Sequence, residues 1–159
     1  MLPFDQLSKA WEECADRLLL IARSMGEKGE DAVQEAFLAL SQQTQLPDEP
    51  LAWLVKVVRN QVLQWNRRDQ RRSHRHMARA IHSNWFESPS PENVEVWDVT
   101  AALKQLPSEL TEVVTMHIWG QLTFEQIAAI VGSSRSTVHR RYAEAIQVLR
   151  KRFSCHIEN

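Results

Sequence analysis

Apolar residues recur along this chain at spacings of three and four, and no long stretch alternates with period two. That pattern predicts an all-α protein. Leu7, Trp11, Cys14, Ala15, Leu18, Leu19 and Ala22 mark one face of a helix over residues 6–24, because a 3.6-residue turn stacks positions three and four apart. The run Met25-Gly26-Glu27-Lys28-Gly29 breaks it. In the next segment, EDAVQEAFLALSQQ, residues Ala32, Val33, Ala36, Phe37 and Leu40 share an apolar side and leave Asp31, Gln34, Glu35 and Gln42 toward water. A longer helix follows from the stripe Leu51, Leu54, Val55, Val58, Val62 and Trp65. Asp48 is its expected N-cap, with Glu49 and Pro50 in the first turn, where a missing N–H costs no helical bond.

The pattern then changes. HSNWFESPSPEN is dense in Ser, Pro and Asn, and Pro89 and Pro91 oppose a helix. A flexible linker is expected at residues 77–95, between small helical domains at 1–76 and 96–159. Trp85 and Phe86 within it have two open readings, docking on a domain or contacting a partner. From Val96, the residues Trp97, Val99, Ala101, Ala102, Leu103 and Leu106 predict a helix ending before Pro107. Ser108 is the expected cap of the next helix, with Val113, Val114, His117 and Ile118 on its apolar face and Gly120 at the turn beyond. Thr123-x-x-Gln126 has the form of a capping box, in which each side chain bonds the other residue's backbone amide. The short helix it opens buries Phe124, Ile127, Ala128 and Val131 and stops at Gly132. Ser133 or Ser134 caps a final helix whose inward face is Val138, Tyr142, Ala145, Ile146 and Leu149. A short capped helix, a glycine turn and a longer basic helix together describe a helix-turn-helix.

Charge sharpens this picture. Although the net charge is -1, Lys and Arg number 4 against 10 Asp and Glu over residues 1–50, then 8 against 1 over 51–82, 1 against 7 over 83–133, and 6 against 2 over 134–159. Basic blocks attract phosphates, and the acidic blocks between them suit a basic protein partner. In the first domain QVLQWNRRDQRR combines Asn60, Gln61, Gln64, Trp65 and Asn66 with arginines, a mixture fitted to phosphate attraction, amide-to-base bonding and stacking on an unpaired base. Trp65 shares the period of the buried stripe, so packing and stacking both remain open for it. In the second domain, Ser134, Arg135, Ser136, Thr137, His139, Arg140 and Arg141 open the last helix, where a recognition helix meets the major groove.

Enzyme chemistry finds no purchase. His74, His76 and His82 lack a carboxylate pair or thiol spacing that would complete a metal site, and neither HExxH nor a phosphate-binding glycine loop occurs. No catalytic residue, metal or cofactor is assigned. Cys14 and Cys155 belong to no paired-thiol spacing and are read as structural or incidental. No run approaches eighteen apolar residues, and Asp5 and two adjacent glutamates stand where a secretion signal needs basic and then apolar residues. A cytoplasmic monomer without membrane insertion is expected.

Taken together, EDAVQEAFLAL, AWLVKVVRNQVLQWNRRDQRR and LPSELTEVVTMHIWGQLTFEQIAAIVGSSRSTVHRRYAEAIQVLRKRF resemble the sigma-70 superfamily, specifically its small extracytoplasmic-function group. The resemblance covers about residues 5–76 and 96–153. It implies a non-enzymatic sigma factor that binds bacterial core RNA polymerase and directs promoter recognition and transcription initiation. Asp31, Gln34, Glu35 and Phe37 match the polymerase-docking motif. Asn60, Gln64, Trp65, Arg67 and Arg68, extended by Arg71 and Arg72, match the segment that captures and helps open DNA at the -10 element. Ser134, Arg135, Ser136, Thr137, His139, Arg140 and Arg141 match the -35 recognition helix. SSRST, His139 and Glu144 depart from the commonest family pattern, as does Trp65-Asn66, so a promoter sequence cannot be borrowed. Many members are held by an anti-sigma protein, and no residue here indicates whether this one is. The competing account is a regulator that uses only the C-terminal helix-turn-helix.

Overall fold

The computed structural model describes residues 1–73 and 102–157, with side chains to Ser154. Every element among them is helical, and the chain divides into two compact units, Met1–Trp85 and Phe86–Asn159. The expected linker at 77–95 lies outside the described residues, as do Trp85, Phe86, the residues from His74 to His82, the helix start at Val96 and the side chain of Cys155.

The first unit is three mutually packed helices, α1 (Phe4–Ser24), α2 (Gly29–Ser41) and α3 (Pro50–Ser73). Leu18, Ile21, Val33, Leu40, Leu54, Val55 and Val58 are almost wholly buried between them, and Ala22, Ala32 and Ala36 let the backbones approach. At the α1–α2 turn Gly26 takes a positive φ of 121° and accepts from the Gly29 amide at 3.0 Å. Gly29 is required for another reason: a Cβ there would overlap the Ala22 carbonyl of α1. Arg23 bonds Glu30 across this turn at 2.6 Å. At the opposite end the Leu2 amide donates to the Ser41 carbonyl at 2.9 Å, so α1 and α2 run antiparallel.

Two sequence expectations shift here. Trp11 is not core; it stays 48% exposed, with its ring 4.7 Å from that of Phe37. Helix α3 begins at Pro50, and the Glu49 carbonyl takes the first helical bond, from Trp53 at 3.0 Å, so the cap position falls on Glu49 rather than Asp48. The buried stripe of α3 ends at Val62. Beyond it only Trp65 is half-buried, and the remaining residues to Ser73 are exposed. These last turns are rich in Gln and Arg, good helix formers that need no packing partner, and Asp69 pairs with Lys28 at the start of α2.

The described second unit begins with a helical stretch at 102–104, followed by α4 (Ser108–Ile118), α5 (Phe124–Val131) and α6 (Arg135–Ile157). All three pack against one another, and α6 holds both others. Leu110, Thr111, Val113, Val114, Thr115 and Met116 are all buried, on nearly every side of α4. The two threonines tolerate this because their hydroxyls donate to carbonyls, Thr111 to Leu103 at 3.1 Å and Thr115 to Thr111 at 2.6 Å. Ile118, expected inside, is 45% exposed. Ser108 is the first helical residue and Pro107 holds the cap position, so the cap assigned to Ser108 is not formed. Positive φ in the following turn falls on Gln121 (53°), not on Gly120.

The capping box forms as expected. Gln126 N–H donates to Thr123 Oγ1 at 3.1 Å and Thr123 N–H to Gln126 Oε1 at 2.9 Å. Ile130 rather than Val131 completes the buried side of α5. Gly132 ends that helix in the left-handed region, with φ 71° and ψ 36°. The next amides after Val131 both reach back to the Ala128 carbonyl, Gly132 at 3.0 Å and Ser133 at 3.1 Å. Ser134 then caps α6 by accepting from the Thr137 amide at 3.2 Å. α6 buries Val138 and Ala145 fully, and Tyr142, Ile146 and Leu149 in part.

Candidate nucleic-acid and polymerase interfaces

Three surfaces carry the residues singled out from the sequence. On α2, Asp31, Gln34 and Glu35 are exposed at intervals of three and one, on the side opposite Val33, Ala36 and Leu40. Leu38 extends their row by one more turn and is 55% exposed. The sequence reading passed over it, although its spacing of seven from Asp31 was the available signal. Phe37 does not join this surface. It is 8% exposed and packs against Trp11, so its contribution to any docking is to hold α2 on α1.

On α3 the assigned residues divide between two faces. Asn60, Gln64, Arg67 and Arg71 follow one row at spacings of four, three and four, and all are exposed. Trp65, Arg68 and Arg72 follow the neighbouring row and line a cleft of about 310 Å³ with Lys28, Asp31 and Asp69. The indole therefore has one side against the unit and another open to the cleft. Positive charge dominates, because only Asp69 of this helix end is acidic and it is engaged by Lys28. Asp31, from the α2 surface, borders the same cleft.

On α6 the structure sorts seven assigned residues into different roles. Arg135, Ser136, His139 and Arg140 are exposed in the first two turns. Arg135 lies 3.9 Å from Glu125, a pairing at 70% and 75% exposure that is worth little and can be exchanged for a phosphate. Ser134 is engaged as the cap, and its hydroxyl also meets those of Ser136 at 3.1 Å and Thr137 at 2.9 Å. Thr137 is half-buried in that hydroxyl cluster. Arg141 turns away from the exposed row: its side chain is only 22% exposed and lies 3.3 Å from Glu109 at the start of α4. Further along, Ala143, Glu144, Gln147 and Arg150 continue the exposed side.

No described residue has the setting of a nucleophile. Burial pushes the Cys14 thiol above its ordinary value of 9.0, Arg17 lowering it and Glu13 raising it by smaller amounts, so Cys14 stays protonated as a core residue. Among the described residues no group of three or more His, Cys, Asp or Glu could hold a metal ion, and no helix is long and apolar enough to cross a membrane.

Comparison with known proteins assigns both units. The family pattern described as Sigma-70 region 2 matches residues 10–72, and that described as Sigma-70, region 4 matches residues 102–151. A curated relative, the probable RNA polymerase sigma factor RfaY of Xanthomonas campestris pv. campestris, is 29% identical over 136 residues, covering 76% of this chain. The match covers 33% of that relative, so this chain spans about a third of its length. Among solved structures, the sigma factor RpoE in complex with the anti-sigma factor NepR from Bartonella quintana superposes with a TM-score of 0.80 at 21% identity, covering 94% of this chain and 97% of that one. CnrH in complex with the cytosolic domain of CnrY gives 0.63 at 23%, covering 94% and 88%. Both likenesses are of fold. With region 2 and region 4 together spanning more than half of its length, the chain belongs to the sigma-70 family.

Proposed function

We propose that this chain is a sigma subunit that docks on bacterial core RNA polymerase, captures an opened strand at the -10 element and reads duplex at the -35 element. The observation that carries this reading is the conjunction on one chain of three surfaces: an acidic stripe on α2, an exposed arginine arm at the end of α3, and a capped helix-turn-helix ending in α6. Asp31, Gln34 and Glu35 offer a basic partner a charged, directional interface, and Leu38 adds apolar contact. The α3 arm presents Asn60, Gln64, Arg67 and Arg71 to a backbone, while Trp65, Arg68 and Arg72 offer an indole face and two guanidinium groups beside it. On α6, Arg135, Ser136, His139 and Arg140 are the groups free to meet phosphates and base edges.

Such a subunit catalyses no bond change. It supplies binding energy for promoter selection, and the polymerase it joins carries out nucleotide addition. The sigma-70 family is not an enzyme class. The likeness to structures solved as complexes with NepR and with CnrY supports a further part of the proposal, a protein inhibitor that covers one of these surfaces in a cytoplasmic, otherwise monomeric chain. In this reading the first domain is taken as 1–76, the linker as 77–95 and the second domain as 96–159.

The test is transcription in vitro from a randomised promoter library, with purified core polymerase from the native organism. Selective transcripts that need both core and this chain are expected, carrying two common elements. Absence of stimulation by a folded chain would shift the assignment to a regulator that uses only the helix-turn-helix.

A further inference from the structure

The exposed residues of the recognition helix differ in how they are held. Arg135 and Arg140 end long side chains with many rotamers, and Ser136 is short. His139 is also exposed, but its ring stands at 90° to that of Phe124 with centroids 5.4 Å apart. Phe124, the first residue of α5, is half-buried at the centre of a four-ring cluster. It stacks on His117 of α4 at 4.4 Å and 21°, and meets Tyr142 of α6 at 5.4 Å and 54°. His117 closes the cluster against Tyr142 at 4.8 Å and is fixed in turn by its Nδ1, 2.9 Å from the Leu122 carbonyl oxygen. The capping box at Thr123 fixes the backbone immediately before Phe124. Three helices thus converge on one phenyl ring, and His139 is the single member of the cluster classed as exposed.

We propose that His139 is the specificity-determining side chain of this recognition helix, reading a purine in the duplex, and that Phe124 is a positioning residue that aims its imidazole. The proposal rests on the assignment of α6 as the -35 reader. An imidazole bonds through nitrogens at fixed places on a rigid ring, and a purine offers N7 with O6 or N6 at its major-groove edge. A ring held before DNA arrives loses less freedom on binding than a four-torsion arginine does. Edge-to-face contact adds orientation to that restraint, which an aliphatic side chain of similar volume would not supply. Arg135 and Arg140 then serve the backbone, with little preference among sequences.

The experiment uses the full chain with core polymerase on a library randomised over the -35 element, and compares His139→Ala, Phe124→Tyr, Phe124→Met and the double variant Phe124→Met with His139→Ala. His139→Ala should flatten preference for a purine at one or two positions by about fivefold or more, the scale of one base contact. Phe124→Met should flatten the same positions, Phe124→Tyr should leave them sharp, and the double variant should be no flatter than His139→Ala alone. A loss from Phe124→Met that is uniform across all sequences, or that persists undiminished without His139, would overturn the positioning role. An unchanged profile for His139→Ala, whose exposed side chain can be removed without touching the core, would overturn the proposal even if Phe124→Met fails to fold. If the wild-type chain yields no selective transcripts at all, the sigma assignment itself fails; selective transcripts with an unchanged His139→Ala profile sink only this inference.

Discussion

The two arginine-bearing helices present positive charge in opposite ways. In α3 the buried stripe ends at Val62, and Arg67, Arg68, Arg71 and Arg72 stand on turns whose only half-buried side chain is Trp65. In α6 the buried positions run alongside the exposed ones, with Val138 beneath the first turns and Ala145 further on, while Arg141 is drawn back onto Glu109 and His139 onto Phe124. An arm that is charged on several sides tolerates many backbone paths and suits a flexible separated strand. A helix with one packed face and one short exposed row suits a groove of fixed width. The same residue type therefore serves capture in one unit and register in the other, and what separates the two uses is the packing underneath.

The comparison depends first on the first unit being built by close helix approach. Replacing Gly29 by Ala should break it most, because the new Cβ would overlap the Ala22 backbone rather than a movable side chain. A loss of about 3 kcal/mol or more is expected, at the upper end of overpacking. Hydrogen exchange would locate the damage: amides of α1–α3 should lose protection and those of α4–α6 keep theirs. Equal loss in both units would mean that the two arginine helices do not stand on separate cores.

A second, smaller effect separates Arg140 from Arg141, which are adjacent in sequence and were read alike. Arg140 is exposed, whereas Arg141 is partly withdrawn beside Glu109. Arg140→Ala should weaken capture of -35 duplex by about tenfold, evenly across sequences and with unchanged melting, the scale of one charged hydrogen bond to a phosphate. Arg141→Ala should leave capture within about twofold and instead lower thermal stability by about 1 kcal/mol, the upper end for an ion pair in which one partner, Glu109, stays exposed. The reverse pattern, measured by duplex binding and thermal melting of the polymerase-bound and free chain respectively, would exchange their roles.

That pair also marks where the sequence stopped being legible. Helix existence, the buried rows of α2 and α3, the Thr123–Gln126 box and the Gly132 stop all depend on residues within one or two turns of each other, and the periodicity exposed them. The fate of Arg141 depends on Glu109, thirty-two positions away across a helix packing that no local pattern encodes. Phe37 and Trp11 were both read as core, yet only Phe37 is covered, and the larger Trp11 ring lies against it at the edge of the packing, a contact between two helices that periodicity within one does not encode. On α4 an apolar face was expected, and two threonines entered the core instead of Ile118 because their hydroxyls find carbonyls on the preceding turn and segment. The candidate surfaces were legible as composition, and their division into faces was not. Residues 60–72 read as one polar and basic run until the end of the buried stripe and the cleft beside Trp65 separated two rows.

That division gives the smallest of the expected effects and the most direct measure of the α3 arm. Arg67 and Arg71 lie on the open row, away from the cleft that holds Arg68 and Arg72. Each guanidinium that neutralises a phosphate of a single strand releases counterions, so removing both should reduce the steepness of log affinity against log salt by about 1.4, from about 0.7 per contact. Arg67→Ala with Arg71→Ala in the polymerase-bound chain, titrated with a single-stranded -10 oligonucleotide between low and moderate salt, should give that shallower slope without altering which sequence is preferred. Preference should change instead when Trp65 is replaced, since its ring and not the open-row arginines lies where a base could stack. An unchanged slope would place the strand on the cleft row alone, and the contrast between an all-round arm and a one-faced reader would reduce to two one-faced helices.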